Sequence, residues 1–202
     1  MKATKWKSYS LALIAGMSVL TACSSDDNND NGGNGNNGNG NEIENGTTLK
    51  GTITSDVTLT AGSTYKLSGE YIVEDGATLN IEAGVKIISI YDDIVDYILV
   101  KQGGKINAVG TSSAPIVMTS EKEEPGAWGG IHICGKAHTN AEGGKGSSEI
   151  GGATYGGNDD ADNSGTLKYV RVEYSGYAFD SEHEANGITF YGVGNGTTVE
   201  YC

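Results

Sequence analysis

The segment VEDGATLNIEAG, which starts at Val73, returns as VKQGGKINAVG at Val100. Val73, Gly76, Leu79 and Asn80 fall on Val100, Gly103, Ile106 and Asn107, a constant displacement of 27 residues. A period this short belongs to a solenoid, in which each repeat is one small unit that buries its apolar side only against its neighbours. Within the period lie short runs of β-forming residues, at 71–73, 78–81, 86–90, 97–100, 105–109 and 116–119, punctuated by glycine. No stretch keeps a helical period. Three such runs per repeat predict a parallel coil in which each strand stacks on its counterpart, with Leu79 and Ile81 over Ile106 and Ala108 inside and Asn80 over Asn107 outside. The two asparagines are either a hydrogen-bonded ladder or two separate solvent-facing side chains.

Two further recurrences locate a departure from the period. Gly130-Ile131-His132-Ile133-Cys134-Gly135 matches Gly187-Ile188-Thr189-Phe190-Tyr191-Gly192 at a spacing of 57, and Leu167-Lys168-Tyr169-Val170 matches Val199-Glu200-Tyr201-Cys202 at 32. If both pairs join the same neighbouring turns, 57 less 32 leaves 25 extra residues between Gly135 and Leu167. The segment from Lys136 to Gly165 holds few core formers and many turn residues, so an inserted loop at about 136–165 is the favoured account. The competing account makes 57 two ordinary turns, with a degenerate one through Glu149–Thr154.

The N-terminus has a different composition. Lys2, Lys5 and Lys7 precede an apolar run of about ten residues, too short to span a bilayer and arranged as a signal peptide over residues 1–22. Leu20-Thr21-Ala22-Cys23 resembles the lipobox of bacterial lipoproteins, which implies acylation of Cys23 after cleavage. Residues 23–47 are rich in Asn and Gly and read as a flexible tether, leaving 48–202 as one folded domain. Ser25-Asp26-Asp27, just behind the cysteine, resembles the surface-export signal of Bacteroidota lipoproteins. The expected location is therefore the outer membrane, lipid-anchored and facing the cell exterior.

Charge excludes one class of partner. Taking Lys2, Lys5 and Lys7 from the 13 basic residues leaves 10 against 26 acidic ones, a net charge of −16. Nucleic acid needs a basic stripe that releases counterions, and the sole arginine is Arg171. Anionic polysaccharide is repelled too, unless a divalent cation bridges the carboxylates.

The stretches YIVEDGATLNIEAG, GGKINAVGTSSAPIVMTS, GAWGGIHICGKA, YGGNDDADNSGTLKYVRVEYSG and NGITFYGVGNGTTVEY together resemble the right-handed parallel β-helix (pectin-lyase-like) lipoproteins of Bacteroidota, over Leu59 to Cys202. The resemblance implies an all-β, right-handed parallel β-helix. Members of that family commonly run on well past the point where this sequence stops, inside TTVEYC, so the chain is expected to be the N-terminal part of a longer protein.

Candidate chemistry is sparse. Asp160, Asp162, Ser164 and Gly165 fit D-x-D-x-S-G, the opening of a calcium loop, but the twelfth position holds Arg171 where a bidentate glutamate is needed. Calcium at Asp160, Asp162 and Ser164 is therefore set against a plain acidic solvent loop. Polysaccharide lyases on this fold neutralise a uronate carboxylate, often with calcium, and abstract a proton with Lys or Arg; the resemblance thus makes Lys168 and Arg171 the alternative catalytic pair. On a continuous strand from Leu167 to Tyr174, Tyr169, Arg171 and Glu173 share one face, which also describes an ordinary solvated face. His132, His138 and His183 have no metal-ligand spacing. Cys134 and Cys202 are read as core thiols rather than a disulfide. Aromatic residues that stack on sugars are a further candidate, Tyr155 and Tyr177 foremost, with Trp128, Tyr174 and the Tyr91/Tyr97 pair around DDIVD; Trp128 is the one expected to be structural. The favoured function is a surface lipoprotein that binds or displays without catalysis, its partner a glycan or another surface protein, and the alternative is a calcium-dependent polysaccharide lyase or related carbohydrate-active enzyme.

Overall fold

A computed structural model of the chain describes residues 41–180 and 183–202. The leader, the expected lipidation site Cys23 and the tether up to residue 40 lie outside the described residues. Among the described residues there is no α-helix, only strands and one 3-10 turn at Glu142–Gly144. Strands numbered in chain order form three parallel columns. The first stacks β1 (Asn41–Ile43), β3 (Val57–Leu59), β5 (Thr78–Ile81), β8 (Lys105–Val109), β13 (Gly165–Lys168) and β16 (Thr198–Glu200). The second stacks the leading halves of β2 (Thr48–Ile53) and β4 (Thr64–Val73) with β6 (Lys86–Ser89), β9 (Ile116–Ser120) and β14 (Val170–Val172). The third stacks the trailing halves of β2 and β4 with β7 (Tyr97–Val100), β10 (Ile131–Cys134) and β15 (Ile188–Tyr191). The chain visits the columns in this order on every lap, so the domain is a parallel β-helix.

Register follows the recurrences. Leu79 pairs with Ile106, Asn80 with Asn107 and Ile81 with Ala108; Ile131–Cys134 pair with Ile188–Tyr191, and Leu167 and Lys168 with Val199 and Glu200. The inward residues, among them Leu59, Leu79, Ile106 and Leu167 from the first column, form one continuous core with Ile87, Met118, Ile98 and Ile131 from the other two. Outside, Asn107 Nδ2 donates to Asn80 Oδ1 at 3.2 Å, so the asparagines do form a ladder.

Corners are made by a few residues with left-handed backbone. Gly51 and Gly69 have φ of 75° and 69° where β2 and β4 pass from the second column to the third. In the fifth lap the corner between the first and second columns is a single residue, Tyr169, with φ of 51°. Tyr201 repeats it at φ 56°, and the two rings stack at 4.6 Å with 7° between their planes, contact that helps offset the cost of left-handed backbone in a bulky residue. Leu167 to Tyr174 is consequently not one strand: the turn at Tyr169 places Lys168 in the first column and Arg171 in the second. Gly165 is required for another reason, since a Cβ there would lie 2.0 Å from the Ile106 carbonyl oxygen.

Most connections from the third column back to the first are short, at 74–77, 101–104 and 192–197, but the one after β10 runs over 135–164. It folds into an antiparallel hairpin of β11 (Gly146–Ser147) and β12 (Thr154–Tyr155), and the segment from Glu149 to Thr154 belongs to that hairpin rather than to a stacked lap. Ala153 and Tyr155 pack on Ile72, Leu99, Cys134, Tyr97 and Tyr191, on the outer side of the third column. This explains why all four residues of β10 are buried: the core covers one side and the hairpin the other.

The domain starts at Asn41, not Thr48, because Asn41–Ile43 add to the edge of β3, Ile43 packs on the core, and the Tyr65 hydroxyl donates to its carbonyl at 2.9 Å. An Asn/Gly-biased composition hides three residues that gain a strand partner. Cys134 is buried as a core thiol, whereas Cys202 is exposed in this structure, just past β16 (Thr198–Glu200). Ile106→Ala is expected to lower stability by about 2–5 kcal/mol through cavity formation, whereas Asn107→Ala, which breaks one outer hydrogen bond, should cost about 1 kcal/mol; denaturation midpoints of the two variants check the ordering.

Candidate functional site

Connections between the second and third columns lengthen along the coil. Those after β6, β9 and β14 occupy 90–96, 121–130 and 173–187 and lie side by side at one corner. The last two are zipped together: Gly126 N–H donates to Ser175 O at 3.0 Å, Ala127 N–H to Tyr174 O at 2.9 Å and Tyr177 N–H to Trp128 O at 3.3 Å. Trp128 is the buried wedge of this zipper, 1% exposed, with its indole N–H on Glu173 O at 2.7 Å. The aromatic expected to be structural is structural. Its consequence is to hold Tyr177 beside Ala127, facing the loop of the preceding lap.

Between them lies a cleft of about 250 Å³ lined by Tyr91, Asp92, Asp93, Ile94, Val95, Ala127 and Tyr177. Tyr91 and Ile94 are each more than half exposed, and Tyr177 meets Phe179 edge-on at 5.0 Å. The Lys122 ammonium sits 4.5 Å from the centre of the Tyr91 ring and 3.1 Å from its hydroxyl, while Glu124 pairs with it at 3.1 Å. Asp92 accepts the Ile94 N–H at 2.8 Å. Asp93 is exposed and has no hydrogen bond or ion pair among the described residues. Two aromatic walls, an aliphatic base and carboxylates at the rim suit a ring with an apolar face and polar edges. The volume is below that of pockets enclosing drug-sized ligands, so the cleft fits one ring of a longer chain.

Asp96 fixes the foot of the loop that carries Tyr91. Its carboxylate is 1% exposed and accepts from Gly69 N–H and, at 2.8 Å, from the Ser89 hydroxyl. Burial pushes its pKa up to about 6 against the pull of these hydrogen bonds, and the Asp92 charge adds to the rise.

The other candidates are dispersed. Tyr155 is on the inserted hairpin, half-buried, with its ring 5.1 Å from Tyr191 over the third column, so it shares no cleft with Tyr177. Beneath it His132 is fully buried: Nε2–H donates to Gly129 O at 2.8 Å, leaving Nδ1 to accept from the Tyr191 hydroxyl, and burial lowers its pKa. The Cys134 thiol next to it is raised to about 11 by burial, which keeps it protonated and inert. Lys168 pairs with Glu200 at 2.7 Å, a contact that raises its pKa, and Arg171 pairs with Glu173. A proton-abstracting lysine needs the opposite shift.

The acidic segment is built into the coil. Asp160 Oδ1 accepts His138 N–H at 3.0 Å, Asp162 Oδ2 accepts the Ser164 hydroxyl at 3.1 Å, and the carbonyls of Asp160 and Asp162 accept from Asn195 and Gly196 N–H. Among the described residues no group of three or more His, Cys, Asp or Glu side chains is placed to hold a metal ion. A second cleft, about 360 Å³, lies between the hairpin tip at Gly151–Thr154 and the corner bearing the Glu74–Lys101 ion pair, which closes at 2.6 Å. No aromatic ring lines it, so the corner cleft is the stronger candidate for a sugar.

Sequence reasoning singled out Tyr177 and the Tyr91/DDIVD segment separately but had no way to join them. They are 86 positions apart in the chain, and only the zipper around Trp128 brings them to one cleft.

A family model for a pectate-lyase-like β-helix domain matches residues 51–202. No curated protein and no solved structure matches the chain.

The Asp96 shift has a signed consequence. From its unfolded pKa of 3.8 up to about 6 the native state holds the extra proton, so stability falls as pH rises through this window, by up to about 3 kcal/mol. Asp96→Asn, whose amide still accepts Gly69 N–H and donates to Ser89, should flatten that fall; melting temperatures between pH 4 and 7 for both proteins measure it.

Proposed function

The chain belongs to the pectate-lyase-like β-helix domain family, and from that premise we propose that it binds carbohydrate without cleaving it, as a display scaffold held at the cell surface. The reading for residues 1–40 is a signal peptide, an acylated Cys23 and a tether, with the outer membrane as anchor and the cell exterior as the side faced. The observation that carries the binding role is the corner cleft, where Tyr91 and Tyr177 form walls contributed by two different laps of a rigid coil. Aromatic walls on a pre-formed frame lose little conformational entropy when a flat sugar face packs on them.

Against catalysis stand the states of the basic residues. Lys168 and Arg171 are in separate columns, each is paired with a glutamate, and the lysine is held in its protonated form. The lyase reading keeps one support, the family itself, because a single fold hosts both catalytic and binding members. Calcium at Asp160, Asp162 and Ser164 belongs to that second reading.

Glycan-array or titration binding with the purified chain is expected to find an oligosaccharide ligand whose affinity falls about tenfold or more in Tyr177→Ala, on the scale of one lost aromatic contact at an interface. Incubation of the same protein with uronate polysaccharides and calcium should leave the ultraviolet absorbance of unsaturated products at background. Product formation that disappears in Lys168→Ala would replace the binding reading with the lyase one.

A further inference from the structure

We infer that the Tyr91/Tyr177 cleft selects a cationic amino sugar, a glycan carrying free protonated amines, over neutral and uronate sugars. This rests on the carbohydrate-binding reading of that cleft and adds the chemical class of the ligand. Aromatic walls alone do not discriminate, since every pyranose offers an apolar face. Selection comes from charge, and its sign is set by the two aspartates in the lining, Asp92 and Asp93, with no lysine, arginine or histidine lining the cleft beside them.

The charges around the cleft do not cancel those carboxylates. The neighbouring cation is Lys122, and Glu124 pairs with it at 3.1 Å, so the two together add nothing. Asp92 spends one oxygen on the Ile94 N–H, and Asp93 is exposed without a hydrogen bond or ion pair among the described residues. Asp96 beneath them, its pKa pushed up to about 6 by burial, is mostly protonated at mildly acidic pH, so Asp92 and Asp93 supply the charge. A uronate entering here meets carboxylates on a chain whose formal net charge is −13, and like charges at such range are mutually destabilising. An ammonium meets the reverse.

The chain also displays the contact it would offer. Lys122 lays its own ammonium over the Tyr91 ring at 4.5 Å, within hydrogen-bond reach of the hydroxyl. That face of Tyr91 therefore already accepts an alkylammonium by cation–π attraction. Tyr177, across the cleft, has no cation on its ring among the described residues. An amino sugar stacked on Tyr177 brings its ammonium toward Asp93, combining ring stacking with a charge-assisted contact.

The test compares oligomers of equal length made of glucosamine, of N-acetylglucosamine and of galacturonate, titrated into the purified full chain at about pH 5.5, where the amine is protonated. Glucosamine oligomers are expected to bind about tenfold tighter than the N-acetylated ones at low salt, with galacturonate weakest. The preference should shrink toward unity in Asp93→Asn and at high salt, while binding of the amine and N-acetyl oligomers alike is lost in Tyr177→Ala. Equal affinity for amine and N-acetyl oligomers, with both lost in Tyr177→Ala, overturns the amine selectivity and leaves the carbohydrate-binding reading standing. Amine binding that survives both Tyr177→Ala and Asp93→Asn is bulk attraction to an acidic surface and overturns it as well. If no oligomer of any class binds, both the selectivity and the reading it rests on fall.

Discussion

Everything in this molecule depends on strands lying directly above their counterparts one lap earlier. Backbone amides and carbonyls within a column bond to the neighbouring lap, and the alternation within each strand then sends Leu79 and Ile106 to one inner line and Leu59, Ile81, Ala108 and Leu167 to a second beside it. A slip of one residue would turn both lines outward and bring the outer Asn80–Asn107 ladder inside. The core is narrow, so stability is built lap by lap from nearest-neighbour contact rather than from one thick interior.

Such a frame tolerates change only at its corners. Strands must match in register, but what joins them is free to grow, and the chain uses this freedom twice. One connection expands into the hairpin that covers the outer side of the third column and buries Leu99, His132 and Cys134. Three successive corners expand into adjacent loops and create the Tyr91/Tyr177 cleft. In the first case extra residues are absorbed as a second small core; in the second they leave apolar rings open to solvent. Binding residues on loops held by a rigid scaffold are the general pattern for function, and the second expansion follows it.

The polar groups divide along the same line. Of the residues whose spacing suggests a cation loop, exposed Asp160 accepts the His138 amide, and buried Asp162 and Ser164 bond to one another. Lys168 and Arg171 are absorbed into pairs with glutamates. Asp96 likewise is engaged, by Gly69 N–H and the Ser89 hydroxyl, whereas Asp93 at the same corner is left unengaged among the described residues. Where carboxylates are satisfied they serve the fold, and where they are not they mark the place at which an outside partner has something to gain.

What the sequence by itself determined is the part governed by local periodicity. The 27-residue return of V-x-x-G-x-x-Leu/Ile-Asn specified parallel stacking, register and the inner line of Leu79 and Ile106, because strand alternation and lap length leave no other way to bury those residues together. Tertiary structure decided what depends on where laps bend. The left-handed backbone at Tyr169, which separates Lys168 from Arg171, carries no glycine to announce it, and the strand at Asn41–Ile43 is hidden in a composition that reads as coil. The cleft was decided there too: Tyr91 and Tyr177 meet only because Trp128 zips two loops together, and contact between residues on different laps is a property of the coil's geometry, not of any stretch of chain.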